Sequence, residues 1–283
     1  MTGYLDASAI RRLAAELDLR PSKQRGQNFV IDANTVRRIA VTAGVGPGDR
    51  VLEIGPGLGS LTAGLLAAGA AVTAVEIEPA LARRLPVTLA GLGYAADRFE
   101  VVEADALAWP TAGPAGARPE PTHLVANLPY NVAVPVLLHA LAAFPGLQSG
   151  LVMVQLEVAD RLVAAPGSKV YGTPSAKLAW YADATKAGSV GANVFWPKPN
   201  VESGLVRFTR RDPPATTATR EAVFAVVDAA FAQRRKMLRS ALAARYGAAA
   251  SLAALAAAGL DPTARGETLG IADFARLAAH LPA

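Results

Sequence analysis

The chain has 283 residues, 52% hydrophobic and 18% charged, with a formal net charge of +5 and no cysteine. That composition excludes global disorder, disulfides and thiolate metal sites, and it allows one large domain or a large one with a small one. Gly, Pro or charge interrupts every apolar run before it reaches membrane-spanning length, and the N-terminus is unlike a secretory leader, so a cytoplasmic protein with no membrane partner is expected.

Residues 1–25 read as a helical arm followed by a loop carrying Arg20, Lys23 and Arg25. Helical spacing follows at 35–43, a Gly-Pro-Gly-Asp turn at 46–49 and a strand at 50–54. The strand runs into Glu53-Ile54-Gly55-Pro56-Gly57-Leu58-Gly59-Ser60. Glycines there let the backbone turn tightly beside a ligand. Ser60 stands where a dinucleotide fingerprint needs glycine, and the E-x-G-x-G-x-G spacing is instead that of S-adenosylmethionine enzymes. A helix at 61–68 leads to a strand at 71–76 ending in Glu76, a carboxylate placed to accept hydrogen bonds from ribose hydroxyls. After a helix at 79–89 and a strand at 99–102, Asp105 is placed to accept from an adenine amino group. Ordinary turn glycines and solvated strand-end acids are the competing reading.

A Pro/Gly/Ala loop at 109–121 precedes a short buried strand at 124–126 and then Asn127-Leu128-Pro129-Tyr130. An amide, a rigid proline and an aromatic ring at a strand mouth suit a planar exocyclic amine. The Asn127 oxygen and the Leu128 carbonyl can accept its two N–H bonds, and Tyr130 can stack on the ring. The competing roles are a turn residue and a core aromatic. A helix at 134–143, a strand at 151–155 and a helix at 158–164 continue the alternation. Strands at 191–195 and 204–208, joined by a Pro-rich loop, close the sheet. The pattern predicts a Rossmann-like α/β domain: a mostly parallel, doubly wound sheet with an antiparallel closing strand.

The Asp-Pro-Pro linker at 212–217 divides the chain into a catalytic domain, 1–212, and a small all-α domain, 213–283. Helices are expected at 220–231, 234–246, 251–258 and 271–281. Between Arg207 and Arg245 nine Arg or Lys face three acids. Arg234, Arg235, Lys236 and Arg239 lie on the second of these helices, with Arg235 and Arg239 on one face. Such a cluster can neutralise RNA phosphates, although charge alone also fits a solvated helix face. His123, His139 and His280 lack metal-ligand spacing, so no metal is expected.

Together with Gly26-Gln27-Asn28-Phe29, the segment 166–172 (Pro-Gly-Ser-Lys-Val-Tyr-Gly), Phe195-Trp196-Pro197-Lys198-Pro199 and Phe231-Ala232-Gln233-Arg234-Arg235-Lys236, these motifs resemble the rRNA adenine N6-dimethyltransferase family. The resemblance runs from about Lys23 to the C-terminus and is nearest to the family's bacterial small-subunit branch. It implies a class I methyltransferase fold and S-adenosyl-L-methionine as donor, with S-adenosyl-L-homocysteine as product. It further implies dimethylation of two adjacent adenosines in the 3′-terminal stem-loop of 16S rRNA, within the small subunit or its precursor, by a monomer with a role in ribosome biogenesis. Asn28 and Val30 then bind the donor beside Gly55, Gly57, Glu76, Asp105 and Asn127. Glu53 either orients its amino-acid end or bonds loop amides. Phe195 either sandwiches the target adenine or is a core aromatic. The family usually has Leu at the Val30 position, and Leu156 and Asn200 stand where lysines are common. A large-subunit adenine methyltransferase, a non-catalytic assembly factor on the same fold and a DNA adenine methyltransferase are the alternatives. The helical tail and Tyr171-Gly172 disfavour the first, and the intact glycine loop and Asn127–Tyr130 disfavour the second. The third would need a DNA-recognition insertion that is not evident.

Overall fold

The computed structural model describes residues 3–19, 28–109 and 120–282. The expected basic loop with Arg20, Lys23 and Arg25, the Gly26-Gln27 pair and most of the 109–121 loop lie outside the described residues. Packing divides the chain into two units, Met1–Ala159 with Thr185–Arg210 and Asp160–Ala184 with Arg211–Ala283. This differs from a single cut at 212, because Asp160–Ala184 leaves the first unit and packs with the tail.

In the first unit, helix α1 (Ala7–Glu16) starts at Asp6, whose carboxylate accepts the Ala9 N–H. A two-residue strand, β1 (Phe29–Val30), precedes α2 (Ala33–Ala43), which is capped by the Asp32 side chain and ended by left-handed Gly44. The chain then alternates through β2 (Arg50–Ile54), α3 (Ser60–Ala67), β3 (Ala71–Glu76), α4 (Pro79–Gly91) and β4 (Phe99–Glu103). It continues with β5 (His123–Asn127), α5 (Ala133–Ala143), β6 (Ser149–Gln155) and α6 (Leu156–Leu162), within which the packing division falls. Near-continuous apolar runs such as Leu151–Val154 mark strands buried on both faces.

After α7 (Thr173–Tyr181), β7 (Ala182–Val190) returns to the first unit, followed by β8 (Phe195–Trp196) and β9 (Ser203–Arg210). The sheet order is β4-β3-β2-β5-β6-β9-β7, with β9 antiparallel to β6 and β2 to β6 parallel. The order reverses between β2 and β5. Crossovers between parallel strands are right-handed as a rule, so those on the two sides of that point carry helices on opposite faces, with a crevice beyond the strands' C-terminal ends.

The expected closing strand at 191–195 is corrected. Ala192–Val194 form a 3-10 turn, and Phe195–Trp196 pair with Phe29–Val30 in a separate two-stranded ladder. The place beside β9 belongs to β7. Its sequence, Ala-Asp-Ala-Thr-Lys-Ala-Gly-Ser-Val, lacks the apolar alternation of a central strand, and an edge strand does not need it.

The second unit is helical, with α7, α8 (Arg220–Ala232), α9 (Leu238–Tyr246), α10 (Ala248–Ala257) and α11 (Ile271–Ala278). Val223, Val226, Val227 and Ala230 form the buried stripe of α8, each valine worth about 1.5–3 kcal/mol on burial. Tyr171 packs against Phe231 and donates its hydroxyl to the Leu269 carbonyl at 2.8 Å. The expected helix at 234–246 is also corrected. Residues 233–237 are a turn, and α9 begins only at Leu238. The Leu238 and Arg239 amides bond the Ala264 and Pro262 carbonyls, contacts that tertiary structure alone supplies.

Candidate active site

The crevice is a cavity of about 460 Å³ in the first unit, lined by residues from the ends of β2, β3, β4 and β5. At the end of β2 the chain turns through Gly55 and Gly57, at φ of 70° and 58°. A Cβ on Gly57 would lie 2.8 Å from the Phe29 ring, so glycine is required there both for backbone angle and for space. Glu76, at the end of β3, accepts the Gly57 N–H through Oε2 and the Glu78 N–H through Oε1, each at 3.0 Å. Burial pushes its carboxyl above the ordinary value, and the two amides oppose that shift. Each oxygen retains a second lone pair for a ligand hydroxyl.

Glu53 projects from β2 and is 1% exposed, with Oε2 unpartnered. Burial raises its pKa to about 8, Thr62 partly offsets the shift and the nearby Glu76 adds to it. Asp105 is exposed at the rim and accepts the Leu107 N–H at 2.9 Å. Among the described residues, the lining holds Glu53, Glu76, Glu78 and Asp105 but no Lys or Arg. A buried acid with a vacant oxygen beside other acids favours a cationic ligand that brings N–H and O–H donors.

On the opposite side, Asn127 ends β5 and donates its Nδ2 to the Asn28 carbonyl at 3.0 Å. A carbonyl at that point fixes the amide's orientation and leaves Oδ1 as its acceptor. Asn28 and Val30 line the cavity, but the Val30 carbonyl already accepts the Ser60 hydroxyl at 2.7 Å. Leu128 is held by its N–H to the Met153 carbonyl at 3.0 Å.

The structure brings together Asn28, Val30, Glu53, Gly55, Gly57, Glu76, Asp105 and Asn127 around one cavity. Leu128, which is 1% exposed, Tyr130 and Phe195 are not among its lining residues. Tyr130 is half-buried, and its hydroxyl lies 2.9 Å from Ser203 Oγ. Phe195 is 2% exposed and packs in the core with Val30 and Leu205. Of its two readings, the geometry is that of the core aromatic. Sequence reasoning missed Ile77 and Leu107, which give the cavity exposed apolar walls, Ile77 at 65% exposure. An apolar residue directly after a strand-end acid, at a position facing solvent, was the available signal.

In the second unit, Arg234 ion-pairs with Glu267 at 3.0 Å and donates to the Lys169 carbonyl. Gly167 donates to the Glu267 carbonyl at 2.7 Å, so Arg234 and Glu267 together tether the segment at 166–172. Arg235 and Lys236 are exposed on the turn, and Arg239 is exposed in the first turn of α9. Arg235 and Arg239 therefore do not share a helix face. No helix among the described residues is long and apolar enough to cross a membrane, and no group of three or more His, Cys, Asp or Glu there is placed to hold a metal.

Known proteins resemble this chain over most of its length. Ribosomal RNA small subunit methyltransferase A of Kineococcus radiotolerans is 62% identical over 283 residues, covering 100% of this chain and 93% of that protein. The protein of the same name in Streptomyces coelicolor is 62% identical over 280 residues, covering 98% and 96%. The crystal structure of the 23S rRNA methyltransferase ErmE matches with a TM-score of 0.62 and 31% identity, covering 90% of this chain and 99% of that one. A dimethyladenosine transferase from Plasmodium falciparum shares the fold, with a TM-score of 0.68 at 21% identity, covering 87% and 94%. The model of the ribosomal RNA adenine dimethylase family matches residues 19–282. With the strand-end cavity and Asn127 at its mouth, these matches show an rRNA-methylating enzyme: the chain belongs to the ribosomal RNA adenine dimethylase family.

Proposed function

We propose that the protein transfers methyl groups from S-adenosylmethionine to N6 of two adjacent adenosines in the 3′-terminal stem-loop of small-subunit rRNA. The observation that carries this reading is the Asn127 amide, in the lining of an acid-lined cavity and anchored through Nδ2, which leaves Oδ1 as its acceptor. The donor fits that cavity, because a sulfonium and an ammonium complement the vacant oxygen of Glu53 and the acids around it. When bound, it supplies a methyl group already activated on positive sulfur. Glu76 and Asp105 then hold the ribose hydroxyls and the adenine amine, between the apolar walls of Ile77 and Leu107.

An exocyclic amine is a poor nucleophile because its lone pair is delocalised into the base. Asn127 Oδ1 and the Leu128 carbonyl accept its N–H bonds, which favours a pyramidal nitrogen aimed at the methyl group. Tyr130 supplies a stacking surface for the unstacked base. Positioning carries most of the rate, and the proton lost from N6 needs no strong base because the alkylated aryl amine is acidic.

Arg235, Lys236 and Arg239 hold RNA phosphates, while Arg234 shapes the turn from within. Recognition of shape and unpaired bases is the mode expected of structured RNA. The names of relatives at 62% identity support the small subunit over the large one. This reading places the protein in the cytoplasm, acting as a monomer on assembling subunits. The test supplies labelled donor with undermethylated small subunits, naked small-subunit rRNA or large-subunit rRNA and maps the product. Two adjacent dimethylated adenosines in small-subunit rRNA are expected, and label confined to large-subunit rRNA overturns the reading.

A further inference from the structure

The turn that follows Asn127 and carries Tyr130 is tied to a strand 73 positions away, where the Tyr130 hydroxyl meets Ser203 Oγ at 2.9 Å. Ser203 opens β9 directly after the Pro-rich loop and is 0% exposed. A hydroxyl buried so completely needs a hydrogen-bond partner, and the Tyr130 phenol meets that need.

The backbones on both sides are fixed without this bond. Ser203 pairs with Gln155 in the ladder between β6 and β9. The other side is held by the Leu128 N–H to the Met153 carbonyl at 3.0 Å and the Val132 N–H to the Pro129 carbonyl at 3.2 Å. What remains for the hydroxyl pair to restrain is rotation of the Tyr130 ring about its two side-chain torsions. The half-buried ring lies three positions after Asn127 in the chain. For a base stacked on it, as the functional reading has it, the plane of the ring sets the angle at which that base meets the amide.

We propose that Ser203 is a positioning residue for methyl transfer: its hydroxyl fixes the plane of Tyr130 and so aligns the target base with Asn127. The assignment rests on the functional reading above, in which Tyr130 stacks on the target adenine. It does not involve the donor cavity, whose lining includes neither residue.

The experiment uses the full chain with undermethylated small subunits and compares Ser203→Ala, Tyr130→Phe, the double variant and Ser203→Thr. Both single variants are expected to lower kcat about 10- to 100-fold, the scale of a misplaced reactant. Donor affinity should stay at the wild-type value, while Tm falls by a few degrees in each, because each leaves a hydroxyl without its partner. The double variant should be no slower than the slower single one, because both remove the same bond, and Ser203→Thr should recover most of the rate. Wild-type kcat in Ser203→Ala, multiplying losses in the double variant, or an equal loss of donor affinity would each overturn the assignment. Absence of methylation by the unmodified protein would instead overturn the functional reading, and this assignment with it.

Discussion

The cavity at the strand ends and the basic turn at 233–237 hold their charged groups by different means. Glu53 and Glu76 sit on parallel strands of the sheet, and Glu76 is locked by two backbone amides. Arg235 and Lys236 stand on a turn that Arg234 anchors through Glu267 and the Lys169 carbonyl. A rigid frame suits a small ligand met atom by atom, whereas exposed cations on a turn suit a phosphate backbone met mainly as charge.

Substitutions should separate the two regions sharply. Asn127→Ala, at the cavity mouth, should lower single-turnover methyl transfer by about 10²- to 10³-fold, as expected for a lost preorganised contact. Equilibrium dialysis should show donor binding weakened by far less. Full activity would remove Asn127 from its role.

Glu53 should reveal itself through protons. Its folded pKa of about 8 lies above the ordinary 4.5, so burial penalises the charged form. In the unliganded protein the penalty is absent below pH 4.5, grows as pH rises and is complete above about pH 8. A cationic donor favours the charged form, so binding at neutral pH should release protons and tighten as pH rises toward 8. Calorimetry in two buffers of different ionisation enthalpy measures that release, and Glu53→Gln should abolish it. Equal release by the variant would assign the proton elsewhere.

The turn should respond to salt rather than to pH. Replacing Arg235 and Lys236 by Ala should weaken RNA binding and reduce the salt slope by about 1.4, at roughly 0.7 per single-strand phosphate contact. An unchanged slope returns them to a solvated surface. The smallest effect is expected from Arg234→Ala, which should lower unfolding stability by about 1 kcal/mol, since the ion pair is partly exposed. Its salt slope should stay near that of the unmodified protein. A full unit of lost slope would make Arg234 a phosphate ligand after all.

The same contrast explains what the sequence made legible. Gly55, Glu76, Asp105 and Asn127 stand out because strand, turn and strand-end acid are encoded over a few neighbouring residues. The parallel sheet followed from the same local alternation. The helix expected at 234–246 ran through a break that the Ala264 and Pro262 carbonyls decide from far along the chain. Edge strand β7 escaped notice because Asp183, Lys186 and Ser189 give it no apolar period. The pairing of Phe195 with Val30, which buries that ring in the core, is set by the β1–β8 ladder across 165 positions of sequence.

The excursion Asp160–Ala184 bears on synthesis. Neither packed unit is one unbroken length of chain, so α7 emerges from the ribosome before the helices it packs with have been made. At roughly 5–20 residues per second, α7 waits on the order of 5–20 s before α11 has been made. Trp180 and Tyr181, which meet Phe224 edge-on in the finished unit, are without that partner for part of this wait. The tail from Arg211 onward, expressed alone, would lack these aromatic contacts and the Lys177–Asp228 ion pair. A helical unit cut from this protein for separate study therefore needs α7 supplied with it.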